Sequence, residues 1–243
     1  MSYLVDDYHG EGTAAAAPVN ERVAFIRRTY AHLAGAILAF AGITTALIST
    51  GLADQIIKDV FLGHRFAWPA LMLVFIVGTI AAQYMARSRS SIGMQYAGLS
   101  IYVLLYTLLF LPILTIASDP KYGVGKPELP LQAGLLTLAV FAGLTTAVFI
   151  SGKDFSFMGP LLCVLSFLAL GLIVASVIGG FSLGLGFIAL MVALYAGWII
   201  YETSNIIHRY GTQEHVAASM SLFGAVAMMF YYILMLFMGS RDE

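Results

Sequence analysis

One carboxylate of this chain lies within an apolar run, where a charge is costly. Glu202 falls inside an uncharged stretch from about residue 183 to residue 207 and precedes His208 by six residues. In a helix this spacing places the carboxylate about 9 Å inside the polar end of the stretch. An acid at such a depth costs on the order of 2.5–3.5 kcal/mol, so it usually faces a cavity and has a function. We therefore predict a site for an ion or a proton, with Glu202 as the gating group or a metal ligand.

Polar side chains follow the same helical face as Glu202. Tyr195, Trp198, Glu202, Asn205 and Arg209 are spaced three, four, three and four residues apart, and such residues share one side of a helix. This face is predicted to point into the protein, with Tyr195, Asn205 and Arg209 completing the site. Two alternatives stay open. In the first alternative, Glu202 has a structural role and forms an ion pair (a latch) with Arg209 or with a neighbouring helix. In the second, its side chain extends to the membrane interface beside an aromatic belt.

The motifs of membrane enzymes are missing from the sequence. It contains no His-Glu-x-x-His zinc motif, no Gly-x-Ser-x-Gly nucleophile turn and no phosphate-binding Walker loop. The last apolar run has no lysine to form the Schiff base of a retinal protein. We therefore expect neither an enzyme nor a bound cofactor.

The composition is that of an integral membrane protein. Hydrophobic residues make up 60% of the 243 residues and charged residues 10%, against about 45–50% and 25% in soluble domains. The 12 Lys and Arg and 13 Asp and Glu give a net charge of −1, which provides no basic surface for nucleic acid. The single cysteine, Cys163, excludes an intrachain disulfide. The expected partner is the lipid bilayer.

Seven uncharged runs are long enough to cross that bilayer as helices. They cover about residues 29–53, 66–86, 92–118, 131–151, 157–178, 183–207 and 216–238, and a crossing helix needs about 20 apolar residues. Only the turn signal Gly179-Gly180 separates the fifth run from the sixth. Because the membrane interior satisfies no backbone hydrogen bonds, the runs predict an all-α bundle of seven transmembrane helices.

The N-terminal residues are more polar than the rest of the chain. Residues 1–22 are acidic and polar and are predicted to form a mobile tail, followed by the transmembrane domain at residues 23–243. Seven Lys and Arg residues fall on the N-terminal side of the predicted spans and five on the other side. This bias places the N-terminus in the cytoplasm.

Two stretches resemble the bacterial branch of the Bax inhibitor-1 family. They are residues 25–40, in the first span, and residues 141–158, across the loop after the fourth span, and Tyr201-Glu-Thr resembles the family's Tyr-Asp-Thr. The resemblance extends over about residues 22–236. It implies a seven-helix bundle with the last helix near its centre, in the inner (plasma) membrane. It also implies a cation leak, chiefly for calcium, governed by two facing aspartates, and a role in stress survival through protein partners.

The chain departs from the family pattern in the seventh span. Glu202 takes the position of the first aspartate, whereas Ala225 stands where the second is expected, and Tyr106 stands where many relatives carry a glutamate. Asp154 or Glu214 replaces the missing acid only if its loop folds into the cavity. Because calcium prefers six to eight oxygen ligands, usually with more than one carboxylate, we expect weaker calcium binding and a shallower pH dependence than in two-aspartate relatives.

Two functions therefore compete at the level of sequence. The first is a passive leak for calcium or protons with Glu202 as its one intramembrane carboxylate. The second is a membrane regulator that transports nothing and acts through a protein partner, such as a membrane protease.

Overall fold

The computed structural model describes residues 13–62, 66–88, 91–122 and 125–239. These residues form eight α-helices and no named strand: α1 Val19–Ser49, α2 Leu52–Ile56, α3 Ala67–Ala86, α4 Ile92–Ser118, α5 Leu129–Ser151, α6 Met158–Gly179, α7 Gly184–His208 and α8 His215–Gly239. A π-helical turn, Ile57–Leu62, continues α2, and a 3-10 turn, Pro120–Tyr122, follows α4. All the helices except α2 are long and apolar enough to cross a membrane. The predicted all-α bundle of seven transmembrane helices is confirmed.

Six of the seven transmembrane helices, α3 to α8, begin and end within two residues of the predicted limits, and all of these except α5 do so within one. The weakest predicted boundary, at Gly179-Gly180, is a true helix end, because Gly180 closes α6 with a left-handed φ of 68°. Glycine adopts this conformation without the steric cost that a Cβ atom imposes.

The first helix differs from its prediction at both ends. It begins at Val19 after Pro18 rather than near residue 29, because charged side chains end an apolar run without ending a helix. It ends at Ser49, before Gly51, which has a φ of 74°. Ala14 is fully buried, so residues 13–22 belong to the folded unit and the predicted tail boundary is wrong there. Residues 1–12 of the predicted tail lie outside the described residues.

The last helix lies at the centre of the bundle, as predicted. Helix α8 contacts α1, α3, α4, α5 and α7, and 56% of the residues in its most apolar stretch are buried. Helix α6, by contrast, packs mainly on α7, and 11% of the residues in its most apolar stretch are buried. Helix α8 therefore forms the core, while α6 lies at the periphery facing lipid.

Helices α3 and α4 approach each other closely at one glycine. A Cβ atom on Gly98 would lie 2.6 Å from the carbonyl oxygen of Ala82 and 3.0 Å from the backbone nitrogen of Ala86. No side chain fits between these backbones. Small residues at such positions allow transmembrane helices to pack through van der Waals contact.

A short ionic contact anchors the connection after α4. The Lys121 ammonium lies 2.7 Å from the Asp119 carboxylate and 3.4 Å from that of Asp54. The hydrogen bond from the Lys121 side chain holds the pKa of Asp119 below its usual value. This contact joins the end of α4 to α2 on the membrane side opposite the N-terminus.

Candidate ion site in the bundle core

A cavity of about 690 Å³ lies between α3, α4, α6, α7 and α8, with the α7–α8 loop at its mouth. Exposed Arg87 and Arg209 lie at the mouth, on the N-terminal side of the bundle. The deepest lining residues include Tyr106, Tyr195 and Met228, which lie about 20 Å along their helices from that side. Since α4, α7 and α8 are about 38 to 40 Å long, the cavity extends roughly halfway along them.

The polar face of α7 lines this cavity. Tyr195, Trp198, Glu202, Asn205 and Arg209 all contribute to its wall. Glu202 is partly exposed to the cavity, and Asn205 is buried with 8% of its surface exposed. The helical spacing in the sequence thus identified side chains that the fold brings together in one place.

The Glu202 carboxylate has no close counter-ion among the described residues. No Lys, Arg or His nitrogen of the described residues lies within 4.0 Å of it, so the latch to Arg209 is not formed. The Asn205 side chain interacts with the carboxylate, and the charge of Arg87 acts on it from farther away. The buried amide oxygen of Asn205 has no hydrogen-bond partner in the part of the chain that the structure describes. A carboxylate and an unsatisfied oxygen are therefore available to an incoming cation.

Phenol groups form the opposite wall. The hydroxyl oxygens of Tyr102 and Tyr106 are 3.3 Å apart, and Gln83 of α3 interacts with the Tyr102 side chain. A Cβ atom on Gly224 would lie 2.6 Å from the Tyr102 hydroxyl oxygen, so the glycine lets this phenol approach the central helix. Sequence reasoning missed Tyr102 and Gln83, although the four-residue spacing of Tyr102 and Tyr106 marks them as one helical face.

Packed aromatic rings lie beyond the deepest part of the cavity. Phe110 is fully buried, and its ring centroid lies 5.5 Å from that of Phe40, 6.3 Å from that of Phe230 and 5.2 Å from that of Tyr231. These rings come from α1, α4 and α8. They form a hydrophobic floor between the cavity and the far side of the membrane.

The loop between α7 and α8 shapes the mouth and brings a second acid to it. Glu214 lines the cavity, and its carboxylate accepts a hydrogen bond from the backbone N–H of Gly211 at 3.0 Å. The Ala225 methyl group also lies in the wall, whereas Asp154 does not. The cavity therefore contains a second acid besides Glu202, which comes from the loop at the mouth rather than from α8.

The segment before α1 holds this loop in place. The backbone N–H of Ala14 donates to the carbonyl of Tyr210 at 2.8 Å, and the Tyr210 and Ser221 hydroxyl oxygens are 2.8 Å apart. Burial, reinforced by the negative charge of Glu202, raises the pKa of Tyr210 to about 12. The phenol is therefore neutral at physiological pH and keeps this hydrogen bond.

Asp154 instead helps to fix the α5–α6 loop against α7. The Ser204 hydroxyl oxygen accepts from the backbone N–H of Phe155 at 2.8 Å and donates to the Asp154 carboxylate at 3.4 Å. The backbone N–H of Ser156 also donates to Asp154 at 2.8 Å. Burial raises the pKa of Asp154, but the hydrogen bonds from Ser156 and the positive charges of His208 and Arg209 outweigh this effect and lower it.

The groups of the cavity wall that could bind a cation are mainly oxygen atoms, beside the Met228 thioether and the guanidiniums of Arg87 and Arg209. The described residues contain no group of three or more His, Cys, Asp or Glu side chains able to hold a metal ion. A cation in the cavity would instead meet carboxylate, amide and phenol oxygens and water. Such ligands suit hard cations and protons and disfavour soft metals.

The fold and the cavity define a multi-pass membrane protein with an acidic group inside its helical bundle. The family model described as "Inhibitor of apoptosis-promoting Bax1" matches residues 22–242. The chain belongs to this family, the Bax inhibitor-1 family.

Relatives of the chain occur in animals, viruses and yeast. The chain is 28% identical to "Protein lifeguard 4" of Mus musculus over 240 residues, which cover 96% of this chain and 92% of the relative. It is 28% identical to the "Golgi anti-apoptotic protein" of Vaccinia virus (strain Lister), covering 97% and 93%. It is 26% identical to "Bax inhibitor 1" of Schizosaccharomyces pombe, covering 90% and 77%. No solved structure matches the chain.

Proposed function

We propose that this protein is a passive leak for cations, either calcium or protons, with Glu202 as the group that binds the ion or gates its passage. One observation carries the proposal: an intramembrane carboxylate, without a close counter-ion among the described residues, lines a cavity that extends about halfway along the transmembrane helices. A charge in that position is costly, and a structural role would supply it with a partner.

The arrangement supports entry from the N-terminal side. At the mouth a cation meets the repulsion of the Arg87 and Arg209 guanidiniums and the attraction of the Glu214 carboxylate, and then exchanges part of its hydration shell for the oxygens of Glu202 and Asn205. The ring cluster around Phe110 closes the route beyond them. In this proposal, passage requires these rings to move apart, and their packing would be the closed form of the leak.

Calcium is a poorer fit than a proton. Calcium takes six to eight oxygen ligands and usually more than one carboxylate. Ala225 contributes no oxygen from the central helix, and Glu214 lies at the mouth. A proton needs only one acceptor, so proton flux is expected to exceed calcium flux under equal driving force.

The proposed leak lies in the inner (plasma) membrane and catalyses no reaction. The excess of basic residues on the N-terminal side favours a cytoplasmic N-terminus, with the cavity mouth facing the cytoplasm and the chain in the inner (plasma) membrane. The protein acts as a conduit rather than as an enzyme.

A regulator that transports nothing is the second candidate. The relative from Vaccinia virus is named an anti-apoptotic protein, and the family description names an inhibitor of Bax1. Ala225 removes one of the two acids that the family resemblance leads us to expect. In this alternative the protein acts through a membrane partner, and its cavity conducts nothing.

Flux through purified protein in liposomes separates the two candidates. Vesicles with a trapped pH dye or calcium dye are compared for the natural chain, Glu202→Gln and the matched control Glu128→Gln, whose carboxylate lies outside the cavity. The leak predicts flux above that of protein-free vesicles, lost in Glu202→Gln and retained in the control. Equal flux in protein-containing and protein-free vesicles would leave the regulator as the better account.

A further inference from the structure

A second cavity lies on the lipid-facing side of the bundle, between α6 and α7. It has a volume of about 730 Å³ and is lined by the α5–α6 loop, the first residues of α6 and the second half of α7. Two of its lining residues are open to the surroundings: Phe157 is 73% exposed, and Cys163 is also exposed. Since α6 packs mainly on α7, this groove faces lipid.

The upper end of the groove is polar and contains the positive charge of Arg209, with the Asp154 carboxylate nearby. Arg209, Ser156 and Tyr201 line it, and Arg209 and Ser156 lie where α7 ends and α6 begins, at the level of the lipid headgroups. Arg209 is exposed and forms no ion pair of 4.0 Å or less within the described residues. A guanidinium in this position is a bidentate donor for a phosphate.

The lower end of the groove is apolar. Pro160, Cys163 and the indole of Trp198 line it, and the indole N–H is occupied by a hydrogen bond to Ser166 at 3.1 Å. Arg209 and Trp198 are separated by about 16 Å along α7. The groove therefore matches a molecule with an anionic head and a hydrocarbon chain of that length.

We propose that this groove binds one anionic phospholipid from the leaflet on the N-terminal side. Its phosphate accepts hydrogen bonds from the Arg209 guanidinium, and an acyl chain lies over Cys163 toward Trp198. Basic pockets between transmembrane helices bind anionic headgroups in this way. A zwitterionic lipid carries its own positive charge and gains less from Arg209, while free phosphate lacks the chain that fills the apolar end.

The site has a direct connection to the central cavity. Arg209 lines both the groove and the cavity mouth. A phosphate bound in the groove holds the guanidinium on the lipid side of α7. The composition of the surrounding membrane thus acts on the charge at the cavity mouth, whether or not the cavity conducts ions.

Native mass spectrometry of the full-length protein tests lipid binding without any flux assay. The protein is exchanged into detergent with phosphatidylglycerol or phosphatidylcholine, and the retained lipids are counted. We expect the natural chain to hold one phosphatidylglycerol at least tenfold more tightly than phosphatidylcholine. Arg209→Gln is expected to lose this preference, whereas Arg27→Gln, which removes an equal charge from the exposed part of α1, keeps it.

A steric variant keeps the test independent of Arg209 and its effects on folding. Cys163→Trp fills the apolar end of the groove from an exposed position and is expected to lower phosphatidylglycerol retention at least fivefold. Equal retention of the two lipids by the natural chain, or full retention by both variants, would overturn the proposal. Displacement of the lipid by millimolar inorganic phosphate would show that the site recognises phosphate alone and would overturn it as well.

Discussion

Replacing Ala225 with aspartate is expected to raise the affinity of the central cavity for calcium at least tenfold. Ala225 and Glu202 line the same cavity of about 690 Å³, and a sphere of this volume has a radius of about 5.5 Å. At that distance a new carboxylate attracts a divalent cation at the centre by about 1.5 kcal/mol with the dielectric constant of water and by about 6 kcal/mol with an effective constant of 20. Since about 1.4 kcal/mol is a factor of ten, the smaller value already gives the tenfold gain.

The matched control is Ala225→Asn, which adds a side chain of the same size without the charge. Calcium binding is measured by titration calorimetry on the purified protein, and calcium flux is measured in proteoliposomes between pH 6 and pH 8. The aspartate variant is also expected to have a steeper pH dependence than the natural chain. Two neighbouring acids repel, so one of them binds a proton that competes with the metal.

Equal calcium binding by the two variants would refute this reasoning. If the aspartate and asparagine variants bind calcium equally, the charge at this position does not reach the ion, and the cavity is not the calcium site. Strong and steeply pH-dependent calcium flux in the natural chain, not increased by the aspartate, would show that an alanine at position 225 does not limit calcium flux.

Three further predictions concern the scaffold. Gly98→Ala is expected to lower the free energy of unfolding by about 1–3 kcal/mol, because the added Cβ atom would collide with the backbone of α3. The control Gly35→Ala, whose Cβ atom would have no neighbour within 4 Å, is expected to lower it by less than about 0.5 kcal/mol. Thermal melting in detergent compares the two variants. Ser204→Ala leaves the Phe155 N–H without its partner and is expected to cost about 1–3 kcal/mol, with faster exchange of that amide. The hydrogen bond from Lys121 lowers the pKa of Asp119, so the contact persists below the usual pKa of about 4 and is lost as the pH falls through the lowered pKa. Protection factors of the following backbone amides, measured from pH 7 down to pH 2, report this loss.

Most of the fold could be predicted from the sequence because the membrane restricts the alternatives to helices. Uncharged runs gave the limits of α3 to α8 to within two residues. The method failed at α1, where the helix continues through Arg27 and Arg28 to Val19. Hydropathy locates the part of a helix inside the hydrocarbon, and it contains no information on how far the helix extends into water.

The candidate site could be predicted only where it belongs to one helix. The face from Tyr195 to Arg209 follows from helical spacing and lines the cavity together. Tyr102, Gln83 and Glu214 are brought to the same cavity by packing between helices distant in sequence, which no local pattern encodes. The same holds for the groove at Arg209, whose other wall comes from α6.

The most direct test of the account is infrared difference spectroscopy of the carboxylates upon cation addition. Membranes containing the protein are recorded with and without calcium, and at pH 6 and pH 8, for the natural chain, Glu202→Gln and Glu128→Gln. If the cavity binds the ion, the natural chain and the control show a shift in a carboxylate band upon calcium addition or pH change that is absent in Glu202→Gln. An identical difference spectrum in Glu202→Gln would show that this carboxylate meets neither calcium nor protons, and it would contradict the proposed leak.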